Sequence, residues 1–245
     1  MNRRELILAS LGTASVVLPR IVSAASKPCA PPLVSVAGGS SASTVCTVAT
    51  GKTYATSFPS NENPISEGGR WHNSGLDWTA VATTNGVAHS TQTGNSYDDS
   101  YAFLAGFSAN HQAQGTIFKA NGYNPGTTHE IEILLRCSDS PHNISYYECN
   151  LEHDGAYAQI VKLVGPIGQF EVLNTTVSQP IRPKTGDVFM AKIVGNTISS
   201  YLNGVKMAEA VDSSIGAGQP GMAFFIRPGA TAQSYGFSSY SATDI

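Results

Sequence analysis

The sequence predicts an all-β, two-sheet antiparallel sandwich, and three observations carry that expectation. Apolar residues recur with period two along many short runs. Turn residues such as Asn-Gly, Asp-Gly and Gly-Pro punctuate those runs at spacings of roughly ten residues. No stretch of helical periodicity is long enough to make a core helix. At 245 residues, with 24 glycines and only 13% charged side chains, the chain can bury one substantial core and has the profile of a secreted β-protein.

Residues 1–25 read as an export signal. Arg3-Arg4 precedes an apolar run, Leu6 to Leu18, then Arg20 and a small-residue end at Ser23-Ala24-Ala25. The Arg-Arg-x-Leu-Ile run resembles the twin-arginine signal, with Asn2 where that signal prefers Ser or Thr. Such a signal implies a core that folds before its disulfides form, and a periplasmic or extracellular destination. The apolar run is too short to span a bilayer as a helix of the mature chain. Formal net charge is −3, and about −5 once the signal is removed. No basic patch remains that would suit nucleic acid or an anionic membrane.

Residues 26–52 are rich in Pro, Gly and Ser and read as an N-terminal arm, leaving 53–245 for the sandwich. Four cysteines, Cys29, Cys46, Cys137 and Cys149, suit two bridges in an oxidising compartment. Of three formal pairings, Cys29 with Cys46 and Cys137 with Cys149 close short local loops and are the expected ones. No Cys-x-x-Cys spacing supports zinc.

Strands are expected over 53–58, 78–82, 87–91, 99–104, 112–120, 128–153 as a hairpin, 157–164, 170–174, 188–194, 197–202, 205–211, 221–226 and 233–240. The hairpin is the most informative. His129, Ile131, Ile133, Leu135 and Cys137 alternate with Glu130, Glu132, Leu134 and Arg136. On the return arm, Tyr147, Cys149 and Leu151 alternate with Tyr146, Glu148, Asn150 and Glu152. A bridge between Cys137 and Cys149 needs them on the same side of adjacent strands. That register would set Arg136 opposite Asn150, with Glu148 and Glu152 on its diagonals at roughly 7–8 Å. One face would be apolar and the other an exposed polar surface of carboxylates, an amide, an arginine and a tyrosine.

The run GNTISSYLNGVKM, the closing YGFSSYSATDI and the early NPISEGGRW and YDDSYAFL resemble secreted bacterial members of the concanavalin A-like and laminin-G-like jelly-roll superfamily, over roughly residues 53–245. The resemblance implies a jelly roll with a groove where a glycan lies. It also implies where enzymes of that superfamily keep their carboxylates. Glu130-Ile131-Glu132 begins a Glu-x-Asp-x-x-Glu-like strand, but Leu134 and Leu135 stand where the second catalytic carboxylate should be. The Arg, Gln-x-His and Tyr motifs of the alginate-lyase branch are not matched.

Three kinds of chemistry suit the polar face. Sugar recognition needs rings for stacking and planar hydrogen-bonding groups, and Glu130, Arg136, Tyr146, Asn150, Tyr157 and Gln159 supply them, with Trp71 and Trp78 as further platforms or core residues. Glycoside hydrolysis needs two carboxyl groups, and Glu132, Glu148 and Glu152 are the candidates, one kept protonated and another ionised. A lyase would pair Arg136 with Tyr146, assisted by His129 or His153, although clustered carboxylates repel an anionic substrate. Asp98 and Asp99, with Glu67 and Asp77 upstream, could hold a structural Ca²⁺; no other cofactor is implied. The expected partner is a neutral or weakly charged polysaccharide or oligosaccharide. An adhesion or assembly module is the remaining alternative.

Overall fold

The computed structural model describes residues 51–94, 97–176, 182–226 and 232–245. The expectations placed on residues 1–50, namely the export signal, the arm and the Cys29–Cys46 bridge, lie outside the described residues. In chain order the strands are β1 Thr53–Thr56, β2 Thr79–Thr84, β3 Val87–Ser90, β4 Ser100–Phe103, β5 His111–Lys119, β6 His129–Ser140, β7 Asn143–Glu152, β8 Ala158–Gly165, β9 Phe170–Thr176, β10 Val188–Val194, β11 Thr197–Leu202, β12 Val205–Val211, β13 Gln219–Ile226 and β14 Tyr235–Asp244.

They form an all-β sandwich of two sheets. The first runs β12-β11-β10-β5-β14-β3-β2, with β1 also on β14; the second runs β4-β13-β6-β7-β8-β9. Strand β2 joins them, pairing with β3 through Val81–Thr84 and, in parallel, with β4 through Thr79 and Ala80. The Asn85-Gly86 and Asn203-Gly204 turns have both residues at positive φ, the geometry that matches the twist of a two-residue hairpin.

The core between the sheets takes Ile131, Ile133, Leu135, Tyr147, Cys149 and Leu151 from β6 and β7. From the facing sheet come Ile117, Phe189, Ile193, Ile198, Phe237 and Tyr240. These are the period-two apolar positions of the sequence, and each large side chain so buried contributes about 1.5–3 kcal/mol. A second apolar cluster, with Trp78, Tyr101, Leu134, Cys137, Ile144, Tyr146, Val161 and Leu163, lies on the outer face of the β6–β7 sheet. That sheet is therefore buried on both faces over much of its area.

The hairpin register differs from expectation. Glu130 stands opposite Glu152, Glu132 opposite Asn150, and Ile133 opposite Cys149, with a bulge between Leu135 and Ser138. Arg136 occupies the bulge at φ 51°. The extra residue reverses the alternation, so Cys137 packs in the outer cluster while Cys149 packs in the core. Both thiols are buried and free. The expected Cys137–Cys149 bridge is not formed, because the two side chains leave opposite faces of the sheet.

Candidate functional site

The outer face of the β6–β7 sheet gathers the predicted residues in rows. Strand pairing places Glu130 beside Glu152, and Glu132 beside Asn150 and Gln159. Asn150 Nδ2 donates to Glu148 Oε1 at 2.8 Å and to Glu130 Oε2 at 3.3 Å, and its Oδ1 accepts from the Gln159 amide at 3.0 Å. Tyr157 donates its hydroxyl to Glu130. Gln159 Nε2 reaches Thr175 Oγ1 at 3.1 Å. Glu152 accepts from the amides of Asp154 and Ala156 at 2.8 and 3.1 Å, and lies 2.5 Å from His153 Nδ1. Burial alone would raise the Glu152 carboxyl, but these hydrogen bonds overcome it and hold the group below its usual range.

Sequence periodicity thus gathers the right residues, but they do not line an open trough. Glu130, Glu132, Glu148, Asn150 and Tyr146 are 0% exposed, and Glu152, Tyr157 and Gln159 are also buried. The expectation of an exposed polar face is corrected: the acids and amides form an internal network. Arg136 is corrected more sharply. Its guanidinium donates to the carbonyls of Ala109, Ile215 and Gly195 at 2.9, 2.7 and 2.6 Å, tying three loops together on the other side of the sheet. It cannot act with Tyr146, so the lyase pairing is not assembled. Trp71 and Trp78 are buried in the two apolar clusters rather than forming platforms. His129 and His153 meet the buried Tyr235 and the half-buried Tyr123, whose hydroxyl hydrogen-bonds His129 Nδ1 and whose ring stacks on Tyr235 at 5.6 Å.

Asp98 and Asp99 diverge. Asp98 accepts from Gln92 Nε2 at 2.8 Å. Asp99 joins Glu132 and Glu148, where one carboxylate oxygen from each lies within 4.8 Å of the others. These three offer the hard oxygen ligands a cation takes. The Tyr146 hydroxyl is buried beside them, and burial first, then the charges of Glu148, Asp99 and Glu132, push it well above its usual pKa. Glu67 and Asp77 are elsewhere: Glu67 accepts from Tyr54, Thr56 and Trp71, and Asp77 meets His142 at 3.0 Å.

A different place is accessible. A pocket of about 450 Å³ is lined by Lys52, Thr53 and Tyr54, by Gly69, Arg70 and His72, and by Leu104, Ala105 and Phe107. Three separate segments build it. Strand β1 supplies Tyr54, a turn carrying Gly68 and Gly69 at positive φ presents Arg70, and the chain leaving β4 supplies Leu104 to Phe107. His72 is fixed by reciprocal backbone bonds to Phe103, at 2.8 and 3.0 Å. The Arg70 guanidinium stands 5.9 Å from the Tyr54 ring centroid, and the Lys52 ammonium 4.9 Å from that of Phe107 while donating to the Ala105 carbonyl. Lys52, Arg70 and His72 are all exposed. Gly68-Gly69 marks a turn in the sequence, but no local pattern marks what that turn presents.

No protein-family model matches the chain, and no curated protein matches it by sequence. Among solved structures, it is similar to the carbohydrate-binding module CBM66 from Bacillus subtilis, with a TM-score of 0.48 and 15% identity over 74% of this chain and 95% of that one. It is also similar to the kappa-carrageenase zobellia_236 from Zobellia galactanivorans, with a TM-score of 0.46 and 15% identity over 79% and 93% of the two chains. For the Caenorhabditis elegans galectin LEC-6 the score is 0.41, with 15% identity over 63% and 93%. Likeness at this level transfers no site residue and no ligand.

Proposed function

We propose that this chain is an exported saccharide-binding β-sandwich, and that its sugar site is the pocket between β1, the Gly68–His72 turn and the exit of β4. The pocket's composition carries this reading. It joins apolar wall, from Tyr54, Leu104 and Phe107, to hydrogen-bond donors on Arg70, Lys52 and His72 in a space of about 450 Å³. Ligand sites typically enclose about 300–1,000 Å³ and combine apolar walls with a few aimed polar groups. Sugars suit such a wall because their C–H faces pack on rings while their hydroxyls take planar donors. Affinity electrophoresis of the mature protein through gels containing a panel of soluble polysaccharides tests the proposal. Retardation by at least one of them is expected, and migration unchanged by all of them overturns it.

The second reading, glycan cleavage by Glu132 and Glu148, is motivated by their oxygens lying within 4.8 Å, close to the roughly 5–5.5 Å of a retaining pair. Both are 0% exposed, so a substrate could reach them only after the material above that face moved away. Release of reducing ends from the same panel, abolished in Glu148→Gln, would favour cleavage. Absorbance of unsaturated uronate would instead point to a lyase.

A further inference from the structure

We infer that the pocket between β1 and β4 selects a negatively charged saccharide, one whose carboxylate or sulfate group is held by Arg70 with His72 and Lys52 beside it. This rests on the saccharide reading above and deepens it. The chain as a whole is acidic, but the charge that faces this pocket is cationic: Lys52 and Arg70 line it, and no carboxylate does. The nearest acid of the turn, Glu67, is occupied from three sides, by the Tyr54 hydroxyl, Thr56 Oγ1 and the Trp71 indole at 3.1 Å. Asp244 is likewise engaged, by the amides of Lys52 and Ser108 at 2.9 and 2.7 Å.

Arg70 is the group with capacity to spare. Its side chain makes no hydrogen bond or ion pair among the described residues, and its guanidinium lies over the Tyr54 ring. With its Cζ 5.9 Å from the Tyr54 ring centroid, the guanidinium keeps N–H donors that can take two oxygens of one oxyanion. Lys52 is partly committed to Ala105 and serves as a point charge. Leu104 and Phe107 close the apolar side of the pocket, with Lys52 over the Phe107 ring. A neutral sugar would offer these cations only hydroxyl oxygens, which make weaker hydrogen bonds than a carboxylate or sulfate does.

The experiment is an NMR titration reading the Arg70 Nε–H and His72 ring signals. The probes are tetragalacturonate and its methyl ester, sulfated isomaltotetraose and isomaltotetraose itself, and sodium sulfate and sodium acetate alone. At least one charged tetrasaccharide should bind about tenfold or more tightly than its neutral counterpart and than the free ion. That preference should shrink as salt is raised and should be lost in Arg70→Gln. If charged and neutral sugars bind alike, the anion preference is overturned while saccharide binding stands. If free sulfate or acetate binds as well as the sugars do, or if no probe shifts either signal, both fail. Unchanged affinity in Arg70→Gln overturns the assignment to Arg70.

Discussion

Gly218 abuts Arg136 so closely that a β-carbon on the glycine would lie 2.2 Å from the Arg136 carbonyl carbon and oxygen. The glycine, at φ 145°, is what lets β13 lie against the bulge in β6. Gly218→Ala should therefore lower stability by about 2–4 kcal/mol, from backbone strain and the displaced bulge together. A urea unfolding midpoint within error of the parent would show that the two backbones are not in contact.

Arg136 itself is a structural tie. Replacing it with Met keeps much of the stem's packing but leaves the carbonyls of Ala109, Gly195 and Ile215 without their donor. A loss of about 3 kcal/mol is expected. Ala109 lies two residues beyond Phe107, but Arg136 bonds to no residue that lines the pocket, and saccharide retardation by the folded variant should persist. Loss of retardation with unchanged stability would return Arg136 to the role of a ligand residue.

The Cys137 and Cys149 thiols belong to different clusters, so alkylation in denaturant followed by peptide mass spectrometry should find both modified without prior reduction. A peptide pair linked through these two residues would refute the register.

Two carboxyl groups set an acid limit. For both Glu152 and Asp212, burial opposes ionisation and hydrogen bonds prevail. His153 with the Ala156 and Asp154 amides holds Glu152 low; Ser214 and Tyr147 hold Asp212 low. Each group adds stability that is present above its unfolded pKa of about 4 and is lost as pH falls through the lower folded value. The urea midpoint should fall below about pH 4. Asp212→Asn should start lower at pH 6 and fall less steeply. Parallel pH curves for the two proteins would remove Asp212 from the account.

Much of this architecture was legible in the sequence because burial imposes a period of two on strands. Ile131, Ile133, Leu135, Tyr147 and Cys149 all face the core as their alternation predicts. The bulge was not legible. Arg136 sits at positive φ without the Gly or Asn that usually marks such a position, and the apolar–polar alternation runs through it without a break. Assuming a bridge to Cys149 then displaced the register by four residues. Alternation also cannot say what lies above a face. Glu130, Glu132 and Glu148 look solvent-exposed in sequence and are sealed in the fold. The pocket was hidden for a different reason: Lys52, Arg70 and Phe107 share no local pattern, and only the pairing of β1 with β14 and the His72–Phe103 bridge bring their segments together.

The proposed function places sugar at the β1–β4 pocket and not at the acid network. Backbone amide chemical-shift mapping with a retarding oligosaccharide tests it most directly. Shifts confined to Lys52–Tyr54, Gly69–His72 and Leu104–Phe107 are predicted. Shifts centred on Glu130–Leu134 and Tyr146–Glu152, with the pocket silent, would contradict it.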